Sequence, residues 1–127
     1  MELQNLYLRN QRVLIVEDEI LIAMDIADIV RDAGGEVIGP AMSAEEALKL
    51  IEQQDVTVAL LDVQLSPGDS LPVARRLEAA GIPFVFHTGN QLDKLSTINW
   101  PVAPIVRKPA IPRILVETIA AVVKRGE

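Results

Sequence analysis

Short apolar runs alternate with amphipathic stretches along this chain, and that order constrains its fold more than any other feature. "RVLIVE" (12–17) is a continuous apolar run of the kind found in strands covered on both faces. From Glu19 to Ala33, Ile22, Ala23, Ile26, Ile29 and Val30 recur at helical spacing; Asp25, Asp28 and Asp32 hold the opposite face, and Gly34-Gly35 is a stop. A weaker strand, "EVIGPA" (36–41), precedes a helix over 43–54 that opens on Ser43 with Glu46 three residues on, a capping box. The strongest strand spans 56–63, and a helix over 70–81 ends at Gly81. "PFVFHT" (83–88), "PIVRK" (104–108) and a last helix from about Pro112 to Arg125 complete the series. Such alternation predicts an α/β fold, one parallel sheet with helices on both faces. At this length the natural form is a flavodoxin-like (βα)5 doubly wound sheet of strand order 2-1-3-4-5. The stretch "GNQLDKLSTINWP" holds weak helix formers and a terminal Pro101, so the fourth helix is expected to be short or poorly ordered, with Trp100 anchoring it to the core.

A chain of 127 residues, half of them hydrophobic, is long enough for one buried core and too apolar for a disordered acidic protein. Its net charge of −6 argues against direct contact with nucleic acid, which needs a basic face. Without cysteine there are no disulfides, zinc knuckles or thiol nucleophiles. No apolar run approaches the roughly 18 residues of a membrane span, and "MELQNLYLRNQ" lacks the layout of a signal peptide. The expectation is a soluble cytoplasmic protein with a short extension over 1–11, one domain over 12–127 and no output domain after "KRGE".

In sheets of this kind, ligand groups gather beyond the carboxyl ends of the strands. Glu17 and Asp18 end the first strand, Asp62 the third, Thr88 the fourth and Lys108 the fifth. Taken singly, each has a plainer reading: Asp18 as a helix cap, Asp62 as a turn former, Thr88 as a strand exit, Lys108 as a solvated lysine. Those readings do not account for all of them falling at successive strand ends. Two carboxylates about 4 Å apart repel by roughly 4 kcal/mol at an effective dielectric near 20, so such a cluster raises a pKa or recruits a cation. Oxygen donors with no His or Cys beside them suit a hard divalent ion such as Mg²⁺. With the ion in place, one carboxylate can act as a nucleophile toward phosphorus, with Lys108 and the Thr88 hydroxyl supporting the phosphoryl oxygens.

"VLIVEDE", "VALLDVQL", "FHTG" and "VRKP" together resemble the response-regulator receiver family of two-component signalling, over residues 12 to 125. The resemblance implies Asp62 as phosphoacceptor, Asp18 as a direct Mg²⁺ ligand, Glu17 holding the metal through water, and the backbone carbonyl of Gln64 as a further ligand. It implies Thr88 as the switch hydroxyl, Lys108 as the partner of the phosphoryl group, a cis peptide before Pro109, and a small Gly89 that leaves room for the donor. The expected partners are a sensor histidine kinase and a downstream protein. "PFVFHTGN" is similar to the single-domain subgroup with a Phe-Ala-Thr-Gly motif, common in alphaproteobacteria. His87 stands where that subgroup has Ala, and Ile105 stands where most receivers carry a switch aromatic. Without that ring, switching is expected to act on the segment after Thr88.

His87, the only histidine, is expected to be partly buried against a helix layer and hydrogen-bonded. In the last helix, Ile111, Leu115, Ile119 and Val122 form a core stripe, and Val116, Ala120 and Val123 a second strip that suggests a homodimer or partner surface. The leading reading is a stand-alone receiver, which catalyses only its own phosphorylation and dephosphorylation and is otherwise no enzyme. It signals through partners or serves as a phosphate sink. The alternatives are a pseudo-receiver that only binds partners and an aspartyl-phosphatase of the haloacid dehalogenase type. The phosphatase wants a second acid two residues after the nucleophile, where Gln64 stands.

Overall fold

The computed structural model describes residues 6–89, 95 and 99–126. Five strands, β1 (Arg12–Val16), β2 (Glu36–Ala41), β3 (Val58–Leu61), β4 (Phe84–Thr88) and β5 (Ile105–Arg107), form one parallel sheet of order β2-β1-β3-β4-β5. Among the described residues four helices flank it: α1 (Ile20–Asp32), α2 (Ala44–Gln53), α3 (Leu71–Ala80) and α4 (Pro112–Gly126). The expected order and layering are therefore present. The third strand is shorter than the apolar run 56–63, because pairing with β1 spans only Val58 to Leu61. The expected fourth helix falls mainly within 90–98, which, Leu95 apart, lies outside the described residues.

The sheet divides two apolar layers. Alternate residues of the central strands face opposite sides, as the period-2 geometry of a strand requires. Leu14, Val16, Ala59, Leu61, Phe84 and Phe86 pack with α2 and α3. Val13, Ile15, Val58, Leu60, Val85 and Val106 pack with α1 and α4. Trp100 is buried in the first layer, its ring edge-to-face with Phe86 at 5.8 Å, as the sequence suggested.

Local capping follows the sequence with one change. Ser43 Oγ accepts from the Glu46 N–H at 3.1 Å, but the Glu46 carboxylate reaches back to the Met42 N–H at 2.8 Å rather than to that of Ser43. Gly81 closes α3 at φ 72°, the left-handed conformation for which glycine has no steric penalty.

The packing adds one finding to the sequence reading and corrects another. The described part of the N-terminal extension is built into the domain: Leu8 is fully buried beside Val30, Ala33 and Val13, and its N–H donates to Ala33 O at 2.9 Å. On α4, Val116 of the supposed second strip is buried, and Ala120 and Val123 pack against the same layer, so the chain's own core covers that strip. Ile111, assigned to the core stripe, is exposed, as is Ile114. The rest of the expected core stripe holds, with Leu115 and Ile119 fully buried and Val122 packed on the same layer; Ile111 lies before the helix begins at Pro112.

Candidate functional site

Backbone hydrogen bonds carry the parallel ladder one step past the strand ends and fix the residues found there. The Glu17 N–H donates to Ala41 O at 3.0 Å, the Asp62 N–H to Val16 O at 2.9 Å, and the Lys108 N–H to Thr88 O at 2.9 Å. Four neighbouring strands thus deliver Glu17, Asp62, Thr88 and Lys108 to one edge of the sheet. Glu17 is 1% exposed, Asp62 7% and Thr88 0%, so these polar groups sit in a largely dry setting.

Lys108 Nζ bridges two of the acids, at 2.9 Å from Glu17 Oε1 and 2.9 Å from Asp62 Oδ2. Burial alone would pull its pKa down, but the bonds and charges of Glu17 and Asp62 outweigh that and hold it above the usual lysine value. Burial pushes the Glu17 carboxyl above the ordinary glutamate range, and the nearby Asp62 charge adds to the rise. The Lys108 bond and the Glu19 N–H, which donates to Glu17 Oε2 at 3.1 Å, oppose it.

Asp18 is not a helix cap. Its Oδ2 accepts from the Ser66 N–H at 2.8 Å, which ties the loop after β1 to the loop after β3, while Glu19 occupies the N-cap position of α1. Ser66 is absent from the residues singled out in the sequence, because its part is played by a backbone N–H, which residue type does not report. Asp18, Glu19, Asp62, Gln64, Thr88, Gly89 and Lys108 line one open cavity of about 360 Å³. The Gln64 side chain donates to Gly68 O at 3.1 Å within the turn below it. A methyl group on Gly89 would meet Lys108 Cβ at 3.8 Å, an ordinary contact, so packing does not demand glycine there. The Lys108–Pro109 peptide is cis.

Glu17, Asp18 and Asp62 each present a carboxylate oxygen, all within 4.8 Å of one another. An all-oxygen set of three acids fits a hard divalent cation such as Mg²⁺ and not a thiolate- or imidazole-seeking metal. Thr88 Oγ1 is buried with no hydrogen-bond partner among the described residues, although Thr88 lines the same cavity. A buried hydroxyl without a partner is costly.

His87 departs from expectation. It is 2% exposed on the α1 side of the sheet, and neither ring nitrogen has a partner among the described residues. Burial, followed by the Lys108 charge, lowers its pKa to about 4.

Residues 13–120 match the response regulator receiver domain family. The Phyllosphere-induced regulator PhyR of Methylorubrum extorquens is 39% identical over 103 residues, covering 79% of this chain and 39% of PhyR. The Transcriptional regulatory protein PdtaR of Mycobacterium tuberculosis is 36% identical over 72 residues, covering 57% of this chain and 35% of PdtaR. The chain thus spans well under two thirds of either relative. The solution structure of SdrG from Sphingomonas melonis superposes with a TM-score of 0.77 at 34% identity, covering 92% of this chain and 98% of SdrG. With its five-stranded sheet of order 2-1-3-4-5 and its acids gathered at the strand ends, the chain belongs to the response regulator receiver domain family.

Proposed function

We propose that this chain is a stand-alone receiver that takes a phosphoryl group onto Asp62 from a sensor histidine kinase, in a Mg²⁺-dependent reaction. The reading rests above all on Lys108, whose ammonium lies 2.9 Å from the Asp62 carboxylate at the floor of an open cavity. An Asp62 oxygen attacks phosphorus; the new O–P bond forms as the P–N bond of the phosphohistidine breaks, and the imidazole leaves with the electron pair and takes up a proton. Asp18 and Asp62, with the Gln64 backbone carbonyl, would hold Mg²⁺, and Glu17 would support it through water. Bound there, Mg²⁺ neutralises charge on the phosphoryl oxygens. Lys108 exchanges part of its contact with Asp62 for a phosphoryl oxygen, and the Thr88 hydroxyl donates to another.

The near-complete overlap with SdrG, 98% of that chain, supports a receiver acting as a separate protein. Its output is contact with a downstream protein, or removal of phosphoryl groups from the kinase. A homodimer through α4 would use the exposed Ile114 on the helix and Ile111 just before it.

The test is incubation with Mg²⁺ and a small acyl phosphate, followed by mass mapping. A base-labile phosphoryl group on Asp62 supports the switch. No adduct would favour a module that only binds partners, and continuous release of phosphate would favour an aspartyl-phosphatase.

A further inference from the structure

Behind the acid cluster lies a second cavity, of about 530 Å³, between α1 and the loop that follows β5. Ile22, Ile26 and the exposed Leu21 line one side, Pro109 and Ala110 the other, and His87 lines it as well. Its size falls within the range of small-molecule sites, and its apolar walls with a few polar groups are their usual make-up. His87 has no part in the phosphoryl chemistry, yet both its nitrogens are buried without partners among the described residues. Buried polar groups are ordinarily paired, and an imidazole that is not asks for one.

The charges around the cavity restrict what can pair with it. Asp25 stands exposed on α1 at the rim and repels anions. Lys108 also lines the cavity, but its ammonium is engaged by Glu17 and Asp62, at 2.9 Å each, and is not free to attract an anion from this side. His87 is held neutral by burial, so it offers one donor and one acceptor. We propose that this cavity binds a small, neutral, largely apolar molecule bearing one hydroxyl or N–H group, which hydrogen-bonds to His87. Both ring nitrogens are buried, so the bond requires the imidazole to turn about its Cβ–Cγ bond, a torsion with broad minima. Because Lys108 and Gly89 line both cavities, an occupant here sits directly against the back of the acid cluster.

The unaltered protein allows a direct test, since its single histidine and single tryptophan give unambiguous signals. The ring nitrogens of His87 are followed by ¹⁵N–¹H correlation near neutral pH during titration with phenol, toluene and benzoate. Phenol should give a saturable shift at His87 and none at the Trp100 indole, which lies in the opposite layer. Toluene, lacking the hydroxyl, should bind roughly two- to tenfold more weakly, the value of one hydrogen bond. Benzoate should fail to saturate, and Asp25→Asn, a change at an exposed position, should improve its binding. In His87→Leu, followed through Ala110 and Ile22 amides, phenol should lose its advantage over toluene. A linear phenol response, equal binding of phenol and toluene, or benzoate as the tightest probe would each overturn the proposal, and all three are read without any variant.

Discussion

Lys108 Nζ lies 2.9 Å from Oε1 of Glu17, a carboxylate only 1% exposed and therefore dependent on that ammonium for its charge balance. Removing the ammonium leaves Glu17 and Asp62 facing one another with no cation between them. Lys108→Ala should cost about 3 kcal/mol of folding stability, the scale for breaking a buried pair from one side. The deficit should widen as pH rises. The folded protein holds the Glu17 proton more tightly than the unfolded chain does, so ionisation works against folding. Urea denaturation from mildly acid to neutral pH checks this, and Glu17→Gln in the Lys108→Ala background should recover part of the loss. A difference in stability from the unaltered protein that stays constant across this pH range would contradict it.

Asp62→Asn should abolish phosphorylation and leave the fold intact. The amide keeps the shape of the side chain and removes one of three neighbouring negative charges. Stability in urea without metal should be unchanged or higher, and peptide mapping should find no phosphoryl group at any other residue.

Two Asp18 variants separate metal binding from loop anchoring. Asp18→Asn retains an oxygen for the Ser66 N–H but loses a charge, so Mg²⁺ binding and phosphorylation should fall with little change in stability. Asp18→Ala loses the acceptor as well and should cost about 1 kcal/mol more. Calorimetric Mg²⁺ titration and urea midpoints distinguish the two effects. Unchanged Mg²⁺ binding in both variants would move the metal site elsewhere.

His87 should make folding sensitive to acid. Its folded pKa is lowered to about 4, so below its ordinary value of 6.5 the unfolded chain binds the proton in preference. The stability this group contributes is complete above pH 6.5 and is lost as pH falls toward 4, by about 3 kcal/mol at the full difference. The slope of stability against pH in this window should be smaller in His87→Phe than in the unaltered protein. Equal slopes would mean that the folded protein accepts the proton without cost.

Leu8→Ala should destabilise the domain by about 2–5 kcal/mol, as for other fully buried leucines. Tyr7→Ala, at an exposed neighbouring position, serves as the control and should be near neutral. Thermal or urea denaturation of the pair shows whether residues before β1 belong to the folding unit.

The sequence alone determined the layered architecture, the strand order expected of it, and the set Glu17, Asp18, Asp62, Thr88 and Lys108 at the strand ends. These follow from period and position along the chain: an apolar run marks a strand, and the residue that closes it must emerge at the sheet edge. Where partners lie far apart in sequence, only the tertiary structure decided. Asp18 reaches the Ser66 N–H, Lys108 spans from β5 to Glu17 beside β1, and Leu8 fills a gap under the end of α1. The same holds for faces of elements at the sheet margin. Val116 is buried beside Leu115 and Ile119, and Ile111 is exposed because the helix begins only at Pro112, a boundary that periodicity does not fix. His87 was legible as facing a helix layer, but its lack of partners was not, since that depends on what α1 and the loop after β5 bring near its ring. Periodicity is written in neighbouring residues, whereas hydrogen bonds, charge pairs and cavities arise only once distant segments share the same few ångströms of space.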